Sequence, residues 1–180
     1  IERILEAVKG MDACVEKIIL THGHMDHCAA SDVLRQQLQV PIEGPHSGDK
    51  FWIENLPEVC KMSGFPHAEP FEPDRWLEQG DIVTVGELEL QVLHCPGHTP
   101  GHVVFYHPQQ KVAWVGDVIF QGSIGRTDFP MGNHEQLITS IREKLWPLGD
   151  DVSFIPGHGP TSTFGVERRT NPFVADANYR

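Results

Sequence analysis

The chain has 180 residues, enough for one domain with a sizeable buried core. Its 14 Lys and Arg residues against 25 Asp and Glu residues give a formal net charge of −11, a field that repels phosphate backbones and disfavours a nucleic-acid partner. No apolar run reaches the roughly 18 to 20 residues of a transmembrane helix, so a membrane-spanning protein is also disfavoured.

The chain opens with apolar residues at helical spacing that continue to a stop at Gly10. Because this pattern begins at Ile1 without a Met, we expect a missing N-terminal segment. Residues 15–20 form a short apolar run rich in β-branched side chains, which predicts a strand buried on both faces. A helix over residues 28–39 and a brief strand at 42–44 are predicted to follow.

Residues 45–76 mix Pro, Gly, aromatic and charged residues without a clean period. We therefore predict a mostly irregular segment, peripheral to any metal site, with one short helix at 49–55. Three aromatic residues, Phe51, Trp52 and Phe65, lie in it. Isolated aromatic residues in such a segment more often close the edge of a core than wall a pocket.

The second half of the chain predicts mainly strands. A turn at residues 86–87 contains glycine and separates two alternating apolar and polar segments, which is typical of a β-hairpin. Strand–helix units beside a hairpin indicate an α/β protein with mixed sheets. The predicted elements are strands at residues 81–85, 88–93, 103–106, 112–115 and 152–155, and a helix at 133–144 with Asn133 as its N-cap.

Metal-capable side chains occur in four places, and each place follows a predicted strand. The motifs are T-H-G-H-M-D-H at residues 21–27, G-H-T-P-G-H at 97–102, G-D at 116–117 and P-G-H at 156–158. Loops at strand ends can project side chains from a rigid scaffold into one space. Imidazole with carboxylate suits zinc, iron or manganese rather than calcium, and this many ligands suits two ions that share one carboxylate. The candidates are His22, His24, Asp26, His27, His98, Asp117 and His158.

The order of these four motifs resembles the metallo-β-lactamase superfamily, and especially its glyoxalase II-like thioesterase branch, over about residues 15–165. The resemblance implies an α/β fold, a four-layer αββα sandwich with the site at one edge between two sheets. It also implies that strands normally found ahead of residue 15 are not fully present. By position, the first metal falls to His22, His24 and His98, the second to Asp26, His27 and His158, and the bridging role to Asp117.

The same resemblance implies a reaction, which is hydrolysis of a thioester such as S-lactoylglutathione to lactate and glutathione. A metal-bridging hydroxide, oriented by Asp26 and held near Asp117, is expected to attack the carbonyl. Two divalent ions are implied, most simply zinc, with iron or manganese as alternatives. A departure from glyoxalase II, which holds glutathione partly through a helical C-terminal extension, is that only 22 residues follow His158 here, so we expect that a glutathione site cannot be built in the same way.

A second resemblance leaves an alternative open. The stretch G-R-T-D-F at residues 125–129 resembles the persulfide dioxygenases, a mononuclear-iron branch of the same superfamily. Arg126 within it is a candidate to hold a substrate carboxylate, or else pairs with Asp128. The P-G-H-G-P stretch at 156–160 favours the hydrolytic branch. β-Lactamase or lactonase activity is a further alternative. Another is a non-catalytic metal-binding or interaction module in which metal ions only stabilise the fold.

Two histidines and the cysteines receive different roles. We expect His94 and His102 to be hydrogen-bonded neighbours of the site rather than ligands. Cys14, Cys28, Cys60 and Cys95 show no C-x-x-C spacing, so we expect reduced thiols, mainly used in packing, and a cytoplasmic location. The sequence gives no indication of the oligomeric state.

Overall fold

The computed structural model describes residues 1–11 and 14–179, and its main feature is a mixed sheet of six strands. The strands are β1 (Ile18–Ile19), β2 (Ile42–Glu43), β3 (Ile82–Val85), β4 (Leu88–His94), β5 (Val103–His107), β6 (Val112–Gly116), β7 (Ile119–Phe120), β8 (Ser123–Ile124), β9 (Ser153–Pro156) and β10 (Ser162–Thr163). The order in the six-stranded sheet is β10-β9-β6-β5-β4-β3, and a parallel pair, β1-β2, and an antiparallel pair, β7-β8, lie outside it.

The helices are short, and several connect directly to turns of 3₁₀ or π-helix. The α-helices are α1 (Glu2–Lys9), α2 (Met25–Cys28), α3 (Ser31–Leu38), α4 (Lys50–Glu54), α5 (Leu56–Ser63), α6 (His134–Ser140) and α7 (Phe164–Thr170). The 3₁₀ turns are Ser47–Asp49, Trp146–Leu148 and Asp176–Tyr179, and a π-helical turn, Ile141–Leu145, extends α6. Among the described residues, no helix is both long and apolar enough to span a membrane.

The six-stranded sheet is covered on both faces. Strand β5 is buried along its whole length, and its side chains alternate between two apolar clusters. Val103 and Phe105 pack on the side of the β1-β2 pair, in a cluster that includes Ile19. Val104 and Tyr106 pack on the opposite side, in the cluster that holds the α6 side chains.

A third apolar cluster lies on the outer side of the β1-β2 pair. It joins Leu20 and Ile42 to Ile53 of α4 and to Leu56 and Cys60 of α5. The layers are therefore helices, the parallel pair, the six-stranded sheet and helices again. The predicted αββα arrangement with mixed sheets is confirmed.

Strand directions bring the candidate ligand loops to one edge. Strand β5 runs antiparallel to both β4 and β6, and β9 runs parallel to β6. Strands β4, β6 and β9 therefore end at the same edge of the sheet. The loop after β1 reaches this edge too, because the N–H of Val103, at the start of β5, donates to the carbonyl of Thr21 at 2.8 Å.

Most predicted elements of the second half of the chain are confirmed. The hairpin forms with Val85 opposite Leu88, and each predicted strand is present within about one residue of its expected bounds. The N-cap is present as well, since Asn133 Oδ1 accepts from the Gln136 N–H at 3.0 Å.

The prediction of a fully buried strand over residues 15–20 is wrong. Strand β1 contains only Ile18 and Ile19, and both are half-buried. Within the described ranges its partner is β2, which is itself two residues long and follows Pro41, a residue without an N–H for the ladder. A strand extends only as far as its neighbour can continue the hydrogen bonds.

The prediction of a mostly irregular, peripheral segment over residues 45–76 is also wrong. A 3₁₀ turn, α4 and α5 occupy residues 47–63, and only the short helix expected at 49–55 is confirmed, as α4. Pro57 obscured α5 because it lies in the first turn of that helix, where proline costs no hydrogen bond. Gly64 ends α5 in the left-handed conformation, with φ of 70°.

Candidate metal centre

Three buried histidines form the first half of the site. The ligand atoms of His22, His24 and His98 lie within 4.8 Å of one another. Their rings meet edge to face, with centroids 5.0 Å apart for His22 and His24 and 4.6 Å apart for His24 and His98. The Nε2 atom of each ring is buried and has no hydrogen-bond partner in the described part of the chain. Buried polar atoms rarely stay unpaired, so three such nitrogens close together fit a bound cation.

A more exposed trio forms the second half. The ligand atoms of Asp26, His27 and His158 also lie within 4.8 Å of one another. The His158 Nε2 atom is 3.1 Å from Asp26 Oδ2 and 3.2 Å from His27 Nε2. The side chain of His158 is 58% exposed and that of Asp26 38% exposed, whereas His22 is fully buried.

Asp117 lies between the two halves. Its Oδ2 atom is 3.7 Å from His98 Nε2 in the first half and 3.6 Å from His158 Nε2 in the second. Its Oδ1 atom is 3.4 Å from His27 Nε2. All seven sequence-predicted candidates are thus brought together, and the donor set of imidazoles and carboxylates suits zinc, iron or manganese.

Burial sets the protonation of the first half. Desolvation lowers the pKa of His22 well below its ordinary value and the pKa of His24 to about 3, and neighbouring histidines lower both further. Burial also acts to raise the pKa of Asp117, but the hydrogen bond and charge of His27 outweigh it, so that this pKa is lowered. Neutral imidazoles and an ionised carboxylate are the forms that bind metal.

Hydrogen bonds with residues around the candidate ligands orient the ligand side chains. The His98 Nδ1 atom lies 2.7 Å from the Arg126 carbonyl, an arrangement in which Nδ1–H donates and Nε2 is left free for a cation. His102 Nε2 accepts from the Asp117 N–H at 3.0 Å, and its ring stacks on His22. His94 Nε2 lies 2.8 Å from the Pro100 carbonyl. His94 and His102 therefore contact backbone groups, as predicted.

Gly157 allows two of the loops to close against each other. Its N–H donates to the Gly116 carbonyl at 2.8 Å, which joins the loops after β6 and β9. A Cβ atom at Gly157 would clash with Asp117 Oδ1 and lie 2.6 Å from His27 Cε1. Only glycine leaves the space between these two side chains free.

The site opens into a pocket of about 490 Å³ that is bordered by both halves. Side chains from α4 and α5 contribute to its walls, and the Trp52 ring lies edge-on to His24 with centroids 4.4 Å apart. The expectation that Trp52 and Phe65 close a core edge is therefore wrong, because the helical segment folds over the site. The apolar lining consists of Met25, Trp52, Val59, Phe65, Phe120 and Phe129.

Arg126 borders the same pocket and is already partnered. Its Nε and Nη2 atoms donate to the two carboxylate oxygens of Asp128 at 2.9 and 2.7 Å, and its guanidinium lies 4.3 Å from the centre of the Phe129 ring. Both members of the ion pair are exposed. The pairing with Asp128 is therefore confirmed, and the contact of Arg126 with a substrate carboxylate stays a prediction.

Sequence reasoning missed Asp49, a fully buried carboxylate that touches two of the ligand loops. It accepts hydrogen bonds from the Gly23 N–H at 2.7 Å, from Thr99 Oγ1 at 2.8 Å and from the Gly101 N–H at 2.5 Å. Burial raises its pKa to about 6, although these donors act in the opposite direction. No motif or period marks this residue in the sequence.

The cysteines near the site pack in the core. Cys28 and Cys95 are fully buried in apolar clusters, and all four cysteines are free. Burial raises the pKa of Cys95 to about 12 and also raises that of Cys28. Both therefore stay as unreactive thiols at neutral pH, in line with the predicted packing role.

Comparisons with known proteins agree with this geometry. Residues 1–158 match the sequence model of the protein family described as the Metallo-beta-lactamase superfamily. The chain is 48% identical to "Hydroxyacylglutathione hydrolase GloC" of Haemophilus influenzae, over 96% of this chain and 82% of that protein. Among solved structures, TTHA1623 in a di-iron-bound form matches with a TM-score of 0.87 and 37% identity, over 96% and 84% of the two chains. ETHE1 from Myxococcus xanthus matches with a TM-score of 0.78 and 29% identity, over 97% and 69%.

Proposed function

Because the chain belongs to the metallo-beta-lactamase superfamily, we propose that it is a metal-dependent hydrolase that cleaves S-lactoylglutathione to lactate and glutathione. The observation that carries the proposal is the two-part cluster around Asp117 at the base of one pocket. The 48% identity to a hydroxyacylglutathione hydrolase supports the choice of a thioester substrate.

We assign the ligand roles from the two clusters. His22, His24 and His98 would hold the first ion, Asp26, His27 and His158 the second, and Asp117 both. When bound, a pair of divalent ions polarises the carbonyl and lowers the pKa of water toward about 7. Zinc is the simplest choice, and iron is supported by the di-iron-bound relative.

The residues of the chain supply orientation and shape. Asp26 is the carboxylate that is half-exposed beside His158, so it can accept a proton from a water molecule in the pocket and orient that water toward the substrate. The apolar walls exclude bulk solvent from the reacting carbonyl. The leaving group is a thiolate, whose conjugate acid has a pKa near about 8.5, so the pocket needs no strong acid to protonate it.

Metal analysis and a thioester assay on the same preparation test this proposal. Two ions per chain, together with loss of thioester absorbance when S-lactoylglutathione is added, are expected. Removal of the ions by a chelator should abolish turnover, and added zinc, iron or manganese should restore it. A metal-loaded protein that leaves the thioester intact would contradict the proposed activity while leaving the metal site in place.

A second candidate function is an oxidoreductase of the persulfide dioxygenase type with a single iron ion. The stretch Gly125–Phe129 favours it, since G-R-T-D-F resembles that branch. Its ligands would come from His22, His24, His98 and Asp117, with positions left open for oxygen and a sulfur substrate. Oxygen consumption with glutathione persulfide, in the iron-loaded protein, separates this function from thioester hydrolysis.

A further inference from the structure

The carboxylate of Asp49 joins the loop after β1 to the loop after β4. One oxygen, Oδ2, accepts from Gly23, which lies between His22 and His24, and from Thr99, the neighbour of His98. The other, Oδ1, accepts from Gly101. Both histidine loops are therefore tied to one side chain that belongs to neither of them.

The backbone around Asp49 approaches the second loop closely. The His46 N–H donates to the Gly101 carbonyl at 3.1 Å, next to the bond that Gly101 makes to Asp49. A Cβ atom at Gly101 would clash with the Asp49 N and lie 2.7 Å from the Asp49 Cγ atom. The contact is thus a fitted one, because any side chain at position 101 would push the carboxylate away.

The same segment also supports the first loop. Trp52, three residues after Asp49, places its ring edge-on to His24 with centroids 4.4 Å apart. Asp49 ends the Ser47–Asp49 turn and directly precedes α4, which contains Trp52, so the carboxylate and the indole are held by one continuous helical element. This element fixes the direction from which each histidine loop enters the site.

The chemistry of the contact calls for a carboxylate. Three donors converge on two oxygens, and an ionised carboxylate is an acceptor at both. An amide of the same shape has a single acceptor oxygen, so its NH₂ group would face either the Gly101 N–H or the Gly23 and Thr99 donors. The buried position gives that mismatch no water to relieve it.

We propose that Asp49 is a positioning residue for the metal centre, which sets the spacing between the His22–His24 pair and His98. The inference rests on the proposed metal site but not on the choice of substrate. Its consequence is that loss of the carboxylate weakens metal binding at the buried histidines and distorts their geometry, although Asp49 itself touches no ion.

Cobalt binding to the metal-free protein tests the proposal. Asp49→Asn is expected to weaken Co²⁺ binding by about 10- to 100-fold, the usual cost of losing an outer partner of a ligand. It is also expected to shift the visible absorption bands of bound Co²⁺, which report ligand geometry. A purely structural role for Asp49 would lower the unfolding midpoint but leave these bands in place.

Glu167 provides a matched control in the same chain. It is also buried, and it accepts from the Gly122 N–H, the Asn171 side chain and the Ser162 hydroxyl at 2.8, 2.9 and 2.6 Å. None of these donors belongs to a ligand loop. Glu167→Gln should therefore lower the unfolding midpoint without changing Co²⁺ affinity or its spectrum.

The outcomes distinguish failure of the positioning role of Asp49 from failure of the metal site itself. Unchanged Co²⁺ affinity and spectrum in Asp49→Asn overturns the positioning role alone, whereas a wild-type protein that binds no metal overturns the metal site as well. Thr99→Val covers the case in which Asp49→Asn fails to fold, because it removes only one of the three donors. It should give a smaller loss of affinity and a spectral shift, and unchanged values would overturn the positioning role.

Discussion

The two halves of the candidate metal centre are built in different ways. His22, His24 and His98 are at most 8% exposed, and their Nε2 atoms have no hydrogen-bond partner within residues 1–11 and 14–179. Asp26 and His158, in the other half, face the pocket with side chains 38% and 58% exposed. The first half is thus buried beneath the loops at this edge of the sheet, and the second half lies at the surface of the pocket.

This difference indicates a division of labour. Buried, neutral imidazoles offer a fixed set of nitrogens that no water can satisfy, which favours tight and persistent binding of a cation. Exposed ligands exchange with solvent, and they lie where a substrate would arrive. We therefore expect the buried half to dominate metal affinity and the exposed half to dominate contact with substrate.

Removal of the shared carboxylate should have the largest effect. Asp117→Asn keeps the side-chain volume but removes the charge that lies between the two halves. We expect kcat for the thioester to fall by more than about 100-fold, beyond the usual cost of losing an outer partner. Steady-state kinetics and metal content check this, with Glu167→Gln as the control. Full activity with both ions in the variant would refute the bridging role.

Single ligand deletions test the division of labour directly. His98→Ala opens the buried half and should leave little metal bound, because the remaining buried nitrogens lack a complete set. His158→Ala removes a side chain that is 58% exposed, and it should retain the ion of the buried half while turnover falls. Metal content after chelator titration measures both. Equal metal loss in the two variants would contradict the expectation that the buried half dominates metal affinity.

The Arg126–Asp128 pair tests the exposed rim of the pocket. If the guanidinium holds a substrate carboxylate, Arg126→Ala should raise KM by up to about tenfold, because it removes the positive charge at the rim of the pocket. Asp128→Asn weakens the existing ion pair and should move KM in the opposite direction. Kinetics with S-lactoylglutathione and with a thioester that lacks carboxylates check the assignment. An unchanged KM in both variants would leave Arg126 as an ordinary ion-pair partner.

The smallest expected effect is the pH dependence of stability in the metal-free protein. The folded-state pKa of His24 is about 3, below the ordinary 6.5, so from about pH 6.5 down to 3 the unfolded chain binds a proton that the folded chain does not. The free energy of unfolding should therefore decrease as the pH is lowered across this window. The pKa of Asp49, which is raised to about 6, opposes this trend. Urea unfolding in a chelator measures the slope, which His24→Asn should flatten. An equally steep slope in that variant would contradict the prediction.

The fold was predictable where the pattern is local. Alternation over residues 81–93 marked the hairpin, and Asn133 marked the start of α6, because turn and cap signals act within a few residues. The strand at residues 15–20 was overestimated, since its true length depends on β2, a partner more than 20 residues away in the chain. Helix α5 was missed because Pro57 counts as a breaker except in a first turn.

The candidate site was predictable in its members but not in its construction. The seven proposed ligands stand in short motifs after strands β1, β4, β6 and β9, and strand direction carries all four motifs to one edge. Their roles as ligands remain predictions. Asp49 could not be found in this way, because it meets Gly23 and Gly101 only across separations of 26 and 52 residues.

The sequence alone determined which chemical groups the edge of the sheet carries and in which order, since each motif is contiguous and follows its own strand. The tertiary structure decided which ligands are buried, which face the pocket, and that α4 and α5 cover the site. Burial and hydrogen bonding between distant segments depend on how the layers pack. For that reason the protonation of His24 and the contacts of Asp49 became visible only in the folded chain.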